Sequence, residues 1–391
     1  MKRLVIFIIS LCLVLLCGCA KKENNTTIPQ ENKEKELIGV WLTFSEIKAL
    51  CSGSEGFDAA FNEVIKNCKT LGINTVFLQV RPFCDAIYKS QYFPQSDYIA
   101  GEDEDVLKKA IEIAKASDIS IHAWINPYRV ATSFNDINML PDDSPAKIWR
   151  TDGNTENDDN VCTTDNGIYL NPAKDDVKKL ILNGVREIIE NYSVDGIHMD
   201  DYFYPTIDTE FDSKSYETYK ATVETPLDIG DWRRKNVNGL LNSVYCAVKA
   251  KDSRLVFGVS PAADIERCYN TLYADVEGWI GGGYIDYIMP QLYFGFEYPK
   301  EEFRFHNLLD KWRSMTENKP VKFYCGLANY KVGTENEPDK AEWNNYDDII
   351  ARQIVMLREN KANGFVFFSY SSLFSDEQLN KNQFIKTMEI I

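Results

Sequence analysis

The stretch Val194-Asp195-Gly196-Ile197-His198-Met199-Asp200-Asp201-Tyr202-Phe203-Tyr204-Pro205 decides how this chain is read. It starts as a short buried strand and runs directly into acidic and aromatic residues. Ile197 and Met199 are apolar, and His198 and Asp200 alternate with them, so they share the opposite face. A carboxylate at the end of a buried strand is costly unless it is hydrogen-bonded, paired or used. In a barrel of parallel strands, that end is where catalytic groups sit. The reading therefore turns on whether the rest of the chain builds a barrel around this segment.

It has the pattern to do so. Runs with strand character fall at Leu37–Thr43, Thr75–Arg81, Ser120–Asn126, Val194–Asp200, Leu255–Ser260, Tyr284–Tyr293, Val321–Asn329 and Gly364–Ser369. Amphipathic helical stretches lie between them, at Asp58–Leu71, Glu104–Ala116, Asp175–Tyr192, Asp231–Lys249, Lys300–Met315 and Tyr346–Asn360, with a shorter one near Tyr269–Ile280. Regular strand–helix alternation repeated eight times predicts an α/β chain folded as a (β/α)8 TIM barrel. An open doubly wound sheet is the alternative, but no GxGxxG or phosphate-loop turn follows the first strand. Two loops are long, Pro127–Pro172 after the third strand and Tyr202–Gly230 after the fourth. Both belong to the catalytic face. Asp152–Asn166 is rich in Asp, Asn and Thr, and is expected to be partly mobile.

The ends give the address. Lys2-Arg3 followed by the apolar run Leu4–Leu16 has the length and polarity of a signal segment. It ends Leu16-Cys17-Gly18-Cys19-Ala20, which resembles a bacterial lipobox with Cys19 as the lipidated residue. The expected organisation is a signal peptide over 1–18, a flexible polar tether over 19–36, and one barrel domain over 37–391. The protein is then extracytoplasmic in the cell envelope and meets the membrane through its lipid anchor only. A net charge of −16 excludes a basic surface for nucleic acid or anionic lipid. Three of the ten cysteines belong to the signal segment and lipobox. The other seven lack CxxC spacing and read as free thiols. With three histidines and no HExxH pattern, neither a zinc site nor any other cofactor is expected. Nothing in the sequence sets an oligomeric state.

Strand alternation selects the side chains that enter the barrel. Gln79 and Arg81 come from the second strand, His122, Trp124 and Asn126 from the third, and His198 and Asp200 from the fourth. Ser260, Gln291, Tyr293, Asn329 and Ser369 end the later strands. A barrel without a site fills these layers with Val, Ile and Leu. Rings at or beyond strand ends, including Trp124, Tyr128, Tyr202, Phe203, Tyr204, Tyr293, Phe294, Phe296 and Tyr298, sit beside amides and carboxylates and suit a sugar. Trp41 reads as core. Asp200 is the first catalytic candidate. In register it lies beside Arg81 and Asn126, where Arg81 would hold it ionised as a nucleophile or electrostatic stabiliser. Asp201 points differently and is a proton-handling candidate, alongside Asp85, Asp264, Glu266 and Glu297.

Several motifs occur in order along the chain: Gly39-Val40-Trp41-Leu42-Thr43, Asn74 to Pro82 (NTVFLQVRP), His122 to Arg129 (HAWINPYR), Asp195 to Pro205 (DGIHMDDYFYP), Phe257 to Pro261 (FGVSP) and Asp286 to Tyr293 (DYIMPQLY). Together they resemble the glycosyl hydrolase-like 10 family of bacterial envelope proteins, from Leu37 to about Leu373. The resemblance implies a glycosidase acting on cell-wall glycan, in particular peptidoglycan stripped of stem peptides. It implies pocket roles for Arg81, Asn126, His198, Asp200, Asp201 and Gln291, and the same motifs carry Arg129. Ala262-Ala263-Asp264 departs from the Phe-Gly of relatives. Against the strand-four pattern of family 18 chitinases, the terminal Glu falls on Tyr202, which disfavours their substrate-assisted mechanism. In α-amylase-like barrels a basic residue lies two before the nucleophilic Asp, a spacing kept by His198 and Asp200. A non-catalytic glycan-binding lipoprotein and a hydrolase of another polysaccharide are the competing readings.

Overall fold

Eight parallel strands close into a barrel: β1 (Leu37–Leu42), β2 (Thr75–Arg81), β3 (Ser120–Ile125), β4 (Gly196–Met199), β5 (Val256–Val259), β6 (Tyr287–Ile288), β7 (Lys322–Leu327) and β8 (Gly364–Phe367). The computed structural model describes residues 35–99, 101, 105–165 and 167–391. The expected signal segment, Cys19 and nearly all of the tether lie outside the described residues. Glu36 is part of the barrel domain: its carboxylate pairs with Arg358 at 2.7 Å and its carbonyl accepts from Asn74 Nδ2 at 2.9 Å. Neighbours in sequence are neighbours in the sheet, and the pairing of Leu37 with Gly364 joins the last strand to the first.

The helices that follow the strands in turn are Gly56–Thr70, Val106–Lys115, Asp175–Asn191, Ile229–Lys251, Val276–Gly282, Phe305–Thr316, Ile349–Glu359 and Gln378–Met388. The helix expected near Tyr269–Ile280 is two helices, because Asp264 and Asp275 each cap a new first turn by accepting from the backbone N–H three residues on. Period-2 alternation splits the core into two layers. Val76, Leu78, Ile121, Ala123 and Ile125 face outward and pack with Phe61, Val64, Leu107 and Ile111 of the helices. Trp41, Phe77, Trp124, Tyr287, Met289, Tyr324 and Val366 fill the interior. Burying each large apolar side chain contributes about 1.5–3 kcal/mol before the entropy of ordering is subtracted.

A repeated device finishes the strand starts. The residue just before a strand reaches back and accepts the N–H near the start of the preceding strand: Asn74 from Ile38, Asp195 from Ile121, Asp286 from Phe257, and Asn363 from Phe323, at 2.8–3.3 Å. These N–H groups would otherwise be left unpaired where the pairing ends. Asp195, in the opening stretch, is therefore part of the frame. It sits at the opposite end of β4 from Asp200.

The long loop after β3 folds. It carries a three-stranded antiparallel sheet of Arg129–Ala131, Gly167–Leu170 and Val161–Thr164, with the 167–170 strand in the centre, and the helix Pro145–Thr151. The loop after β4 holds the helix Ser213–Thr222. Cys68, Cys84, Cys268 and Cys325 are buried and form no disulfide.

Candidate active site

The strand ends open into a cavity of about 370 Å³ whose wall includes Gln79, Trp124, Arg129, Asp200, Tyr202 and Gln291. Two larger hollows of about 820 and 810 Å³ lie away from it, and neither touches Asp200. Chemistry rather than size picks out the smaller one. Asp200 is 3% exposed. Its Oδ2 accepts from Asn126 Nδ2 at 2.7 Å and from Trp124 Nε1 at 3.0 Å, and among the described residues its Oδ1 meets only the Tyr202 N–H, at 3.4 Å. With Oδ2 held by two donors, a proton on this carboxyl resides on Oδ1.

The electrostatics differ from the sequence expectation. Burial, reinforced by the charge of Asp201, pushes the Asp200 carboxyl up to about 7, while the Arg129 charge and the Trp124 and Tyr202 hydrogen bonds pull the other way. Arg81 takes no part. Between Gln79 and Arg81 the β2–β3 register shifts, so Gln79 pairs with Trp124 and Arg81 pairs with outward-facing Ile125. This bulge turns the Arg81 side chain away from the barrel interior and under the helix Asp175–Asn191. There its guanidinium lies 4.3 Å from the Phe93 ring. Gly184 makes room for it, since a Cβ at that position would sit 2.7 Å from Arg81 Nη1 and 2.5 Å from a Phe93 carbon. The cation that faces Asp200 is Arg129, carried by the inserted sheet and flanked by the rings of Phe83 at 5.0 Å and Tyr202 at 4.4 Å.

The two inward histidines are a second correction, because neither reaches the cavity. His198 Nε2 accepts from Trp41 Nε1 at 3.2 Å, which leaves the proton on Nδ1 for Tyr287 Oη at 3.0 Å. Tyr287 in turn faces His122 Nδ1 at 3.2 Å. Burial holds both imidazoles neutral, with His122 down to about 3 and His198 lowered further by His122. His198 keeps the amylase-like spacing without the charge. The pair and Tyr287 form a neutral buried layer beneath the site. Asn329 is also buried and stands off the cavity wall.

Asp201 turns toward β5 and β6, where Gln291 Nε2 lies 3.4 Å from its Oδ1 and 3.0 Å from the Ser260 carbonyl. Burial raises it too, opposed by its own backbone N–H, by Arg267, by Gln291 and by Arg129. The other proposed carboxylates disperse. Asp264 caps the short helix that begins just after Ala262-Ala263, Glu266 and Glu297 are exposed, and Asp85 lines a neighbouring hollow.

Glu46 escaped the sequence reading. Its Oε2 accepts from the Thr43 N–H and hydroxyl, both at 2.7 Å, and its Oε1 accepts from Ser369 Oγ at 2.7 Å and Ser371 N–H at 2.6 Å. It clasps the loops after β1 and β8 together at the cavity rim. Thr43-x-x-Glu46 at a strand end is a capping-box pattern and was the available signal. Four donors occupy both oxygens of this carboxylate.

The sequence profile of Glycosyl hydrolase-like 10 matches residues 36–345. The chain belongs to this family. It is 32% identical to the glycosyl hydrolase YngK of Bacillus subtilis over 89% of this chain and 70% of that protein. It is 29% identical to the glycosyl hydrolase DigH of Escherichia coli K12 over 84% of this chain and 83% of that one. Among solved structures, the PgaB (BpsB) glycoside hydrolase domain from Bordetella bronchiseptica has a TM-score of 0.61 at 14% identity, covering 87% of this chain and 96% of that domain. At that identity the likeness is one of fold.

Proposed function

We propose that this member of the Glycosyl hydrolase-like 10 family hydrolyses cell-wall glycan strands, with peptidoglycan stripped of stem peptides as its substrate and no metal in the reaction. The observation that carries the reading is the Asp200 carboxyl, buried at a strand end among ring and amide groups on the cavity wall, with Oδ2 tied down by two donors and Oδ1 meeting the Tyr202 N–H at 3.4 Å. Asp200 is the general acid that protonates the glycosidic oxygen. Asp201, whose charge adds to burial in keeping the proton on Asp200, is the ionised partner. These roles reverse the assignment drawn from the sequence alone. Arg129 and Tyr202 flank the sugar, and Gln291 and Tyr293 hold its far side. The decisive experiment incubates the protein with intact and amidase-treated peptidoglycan and identifies released saccharides by mass spectrometry. Product from the treated material supports the reading. Binding without product from either material leaves a glycan-binding protein.

The proton on Asp200 also sets a pH dependence. A general acid works while protonated, so kcat/KM is expected to fall as pH rises through about 7. Arg129→Gln removes the charge that favours the ionised form and should move this falling limb to higher pH. A rate that stays flat across the neutral range would sink the assignment of Asp200 as acid.

The same reading has the domain outside the cytoplasm on a lipid anchor. Its support is the Lys2-Arg3 start, the apolar run Leu4–Leu16, Cys19 and the polar residues after it. Cys19→Ser is expected to shift the protein from the membrane fraction to the soluble fraction. Undiminished membrane retention and lipid labelling would refute the anchor.

A further inference from the structure

Glu46 stands on the cavity wall where the first and last strands of the barrel meet. Each of its oxygens serves one loop. Oε2 holds the N–H and hydroxyl of Thr43, at the end of β1. Oε1 reaches across 323 positions of sequence to the Ser369 hydroxyl, and also holds the Ser371 N–H. A carboxylate has about four acceptor positions, and these four donors fill them. Glu46 thus lines the cavity with no acceptor left over for a ligand.

What it holds on either side continues into the binding wall. Next to Thr43 is Phe44, whose N–H donates to Gln79 Oε1 at 3.0 Å, and Gln79 lines the cavity. Next to Ser369 is Phe368, which lines it too. The Phe368 ring lies 5.7 Å from Trp41, 5.7 Å from Tyr293 and 5.9 Å from Tyr330. Its carbonyl accepts the Tyr330 N–H at 3.2 Å. The placement of Phe368 therefore bears on rings carried by the loops after β6 and β7. Asp200 is held separately, by Trp124 and Asn126 of the third strand and the loop after it.

We propose that Glu46 is a positioning residue for substrate binding. By bridging Thr43 to Ser369 and Ser371, it fixes the Gln79 amide and the Phe368 ring relative to each other across the meeting of β1 and β8. It sets the affinity for the bound chain and takes no part in the proton chemistry. Two loops that are far apart in sequence would otherwise lose their freedom when the sugar binds, and a bracket present in the free protein removes that cost beforehand. The inference rests on the glycan reading proposed above and adds to it a residue that acts through others.

The test compares steady-state kinetics of the full chain and its variants on fragments of amidase-treated peptidoglycan. Glu46→Gln puts an amide nitrogen where two donors point, which opens one side of the bracket. KM is expected to rise about tenfold, the scale of one well-placed contact, with kcat within about threefold and the falling pH limb unmoved. A variant that merely folds poorly behaves differently, because a smaller active fraction lowers the apparent kcat and leaves KM alone. Ser369→Ala, a milder change, removes one of the two contacts after β8 and should raise KM by less. Adding Glu46→Gln to it should cost less than Glu46→Gln does alone. Calorimetric affinities of the same variants carrying Asp200→Asn should fall by the same factors, so a protein that binds these fragments without cutting them still decides the matter. An unchanged KM and affinity in Glu46→Gln, or strictly additive effects of the two substitutions, overturns the bracket and leaves the glycan reading intact. A fall in kcat of about a hundredfold or more at unchanged KM also overturns it and makes Glu46 a catalytic group. Failure of the parent protein to cut or bind the fragments overturns both.

Discussion

Asp200→Asn is expected to lower kcat/KM on glycan strands by about a thousandfold or more while leaving folding and glycan binding nearly unchanged, within the range that a positioned acid or base contributes. Asparagine has the same shape, and its carbonyl can accept from Trp124 Nε1 and Asn126 Nδ2 just as Oδ2 does. The amide nitrogen then occupies the position of Oδ1, and an amide has no proton to give to the leaving group. The loss should appear in kcat, because the ring and amide contacts that hold the sugar survive. Thermal unfolding and calorimetric binding of a tetrasaccharide fragment of amidase-treated peptidoglycan supply the controls. Activity within tenfold of the parent would remove Asp200 from the chemistry, and a collapse of stability would mean that its role is structural.

The second large effect concerns the loop that leaves the site. Arg233, on the helix after β4, is wholly buried with Asp212, its Nη2 2.5 Å from Oδ1 and its Nε 3.0 Å from Oδ2. The same guanidinium donates to the carbonyls of Asp208 at 2.6 Å and Thr206 at 3.4 Å and to Tyr273 Oη at 3.0 Å. It lies between the rings of Tyr204 and Tyr273, 5.0 and 4.9 Å from their centroids. One side chain thus gathers residues 204–212, directly downstream of Asp200 and Asp201. Arg233→Met should destabilise by about 3–5 kcal/mol in urea unfolding, since it strands the Asp212 charge in the interior. Asp212→Leu added to it should recover part of the loss, because the uncompensated charge is gone. A loss below about 1 kcal/mol, the size of an exposed pair, would show that solvent reaches this pair. Activity should fall alongside stability in the single variant, as the Asp201–Tyr204 segment loses its anchor.

Much of this architecture is legible from local pattern. All eight strands fall where the apolar runs put them, and alternation correctly sends Trp124 and Asn126 toward Asp200. The same alternation misplaces Arg81. A one-residue register shift against β3 reverses its direction, and nothing in NTVFLQVRP announces a bulge. His198 follows the alternation and still misleads, because its neutrality comes from Trp41 and Tyr287 on other strands. The Asp-rich segment Asp152–Asn166 reads as partly mobile by composition, yet its Val161–Thr164 end pairs with the Gly167–Leu170 strand, on whose other edge Arg129 is carried to the site. Glu46 was hidden for a related reason: half of its hydrogen bonds come from residues more than 320 positions away.

The stretch from Val194 to Pro205 divides the two kinds of information. That it is the fourth barrel strand, with Asp200 inward at its C-terminal end, follows from consecutive residues, because a period of two and the need to bury apolar faces act along the chain itself. What Asp200 is chemically does not follow from them. Its donors sit 76 and 74 residues away, and the positive charge facing it is Arg129 rather than Arg81. A pKa is the sum of burial and neighbouring charges in space, so only the closed barrel makes this carboxyl a group that keeps its proton near neutrality.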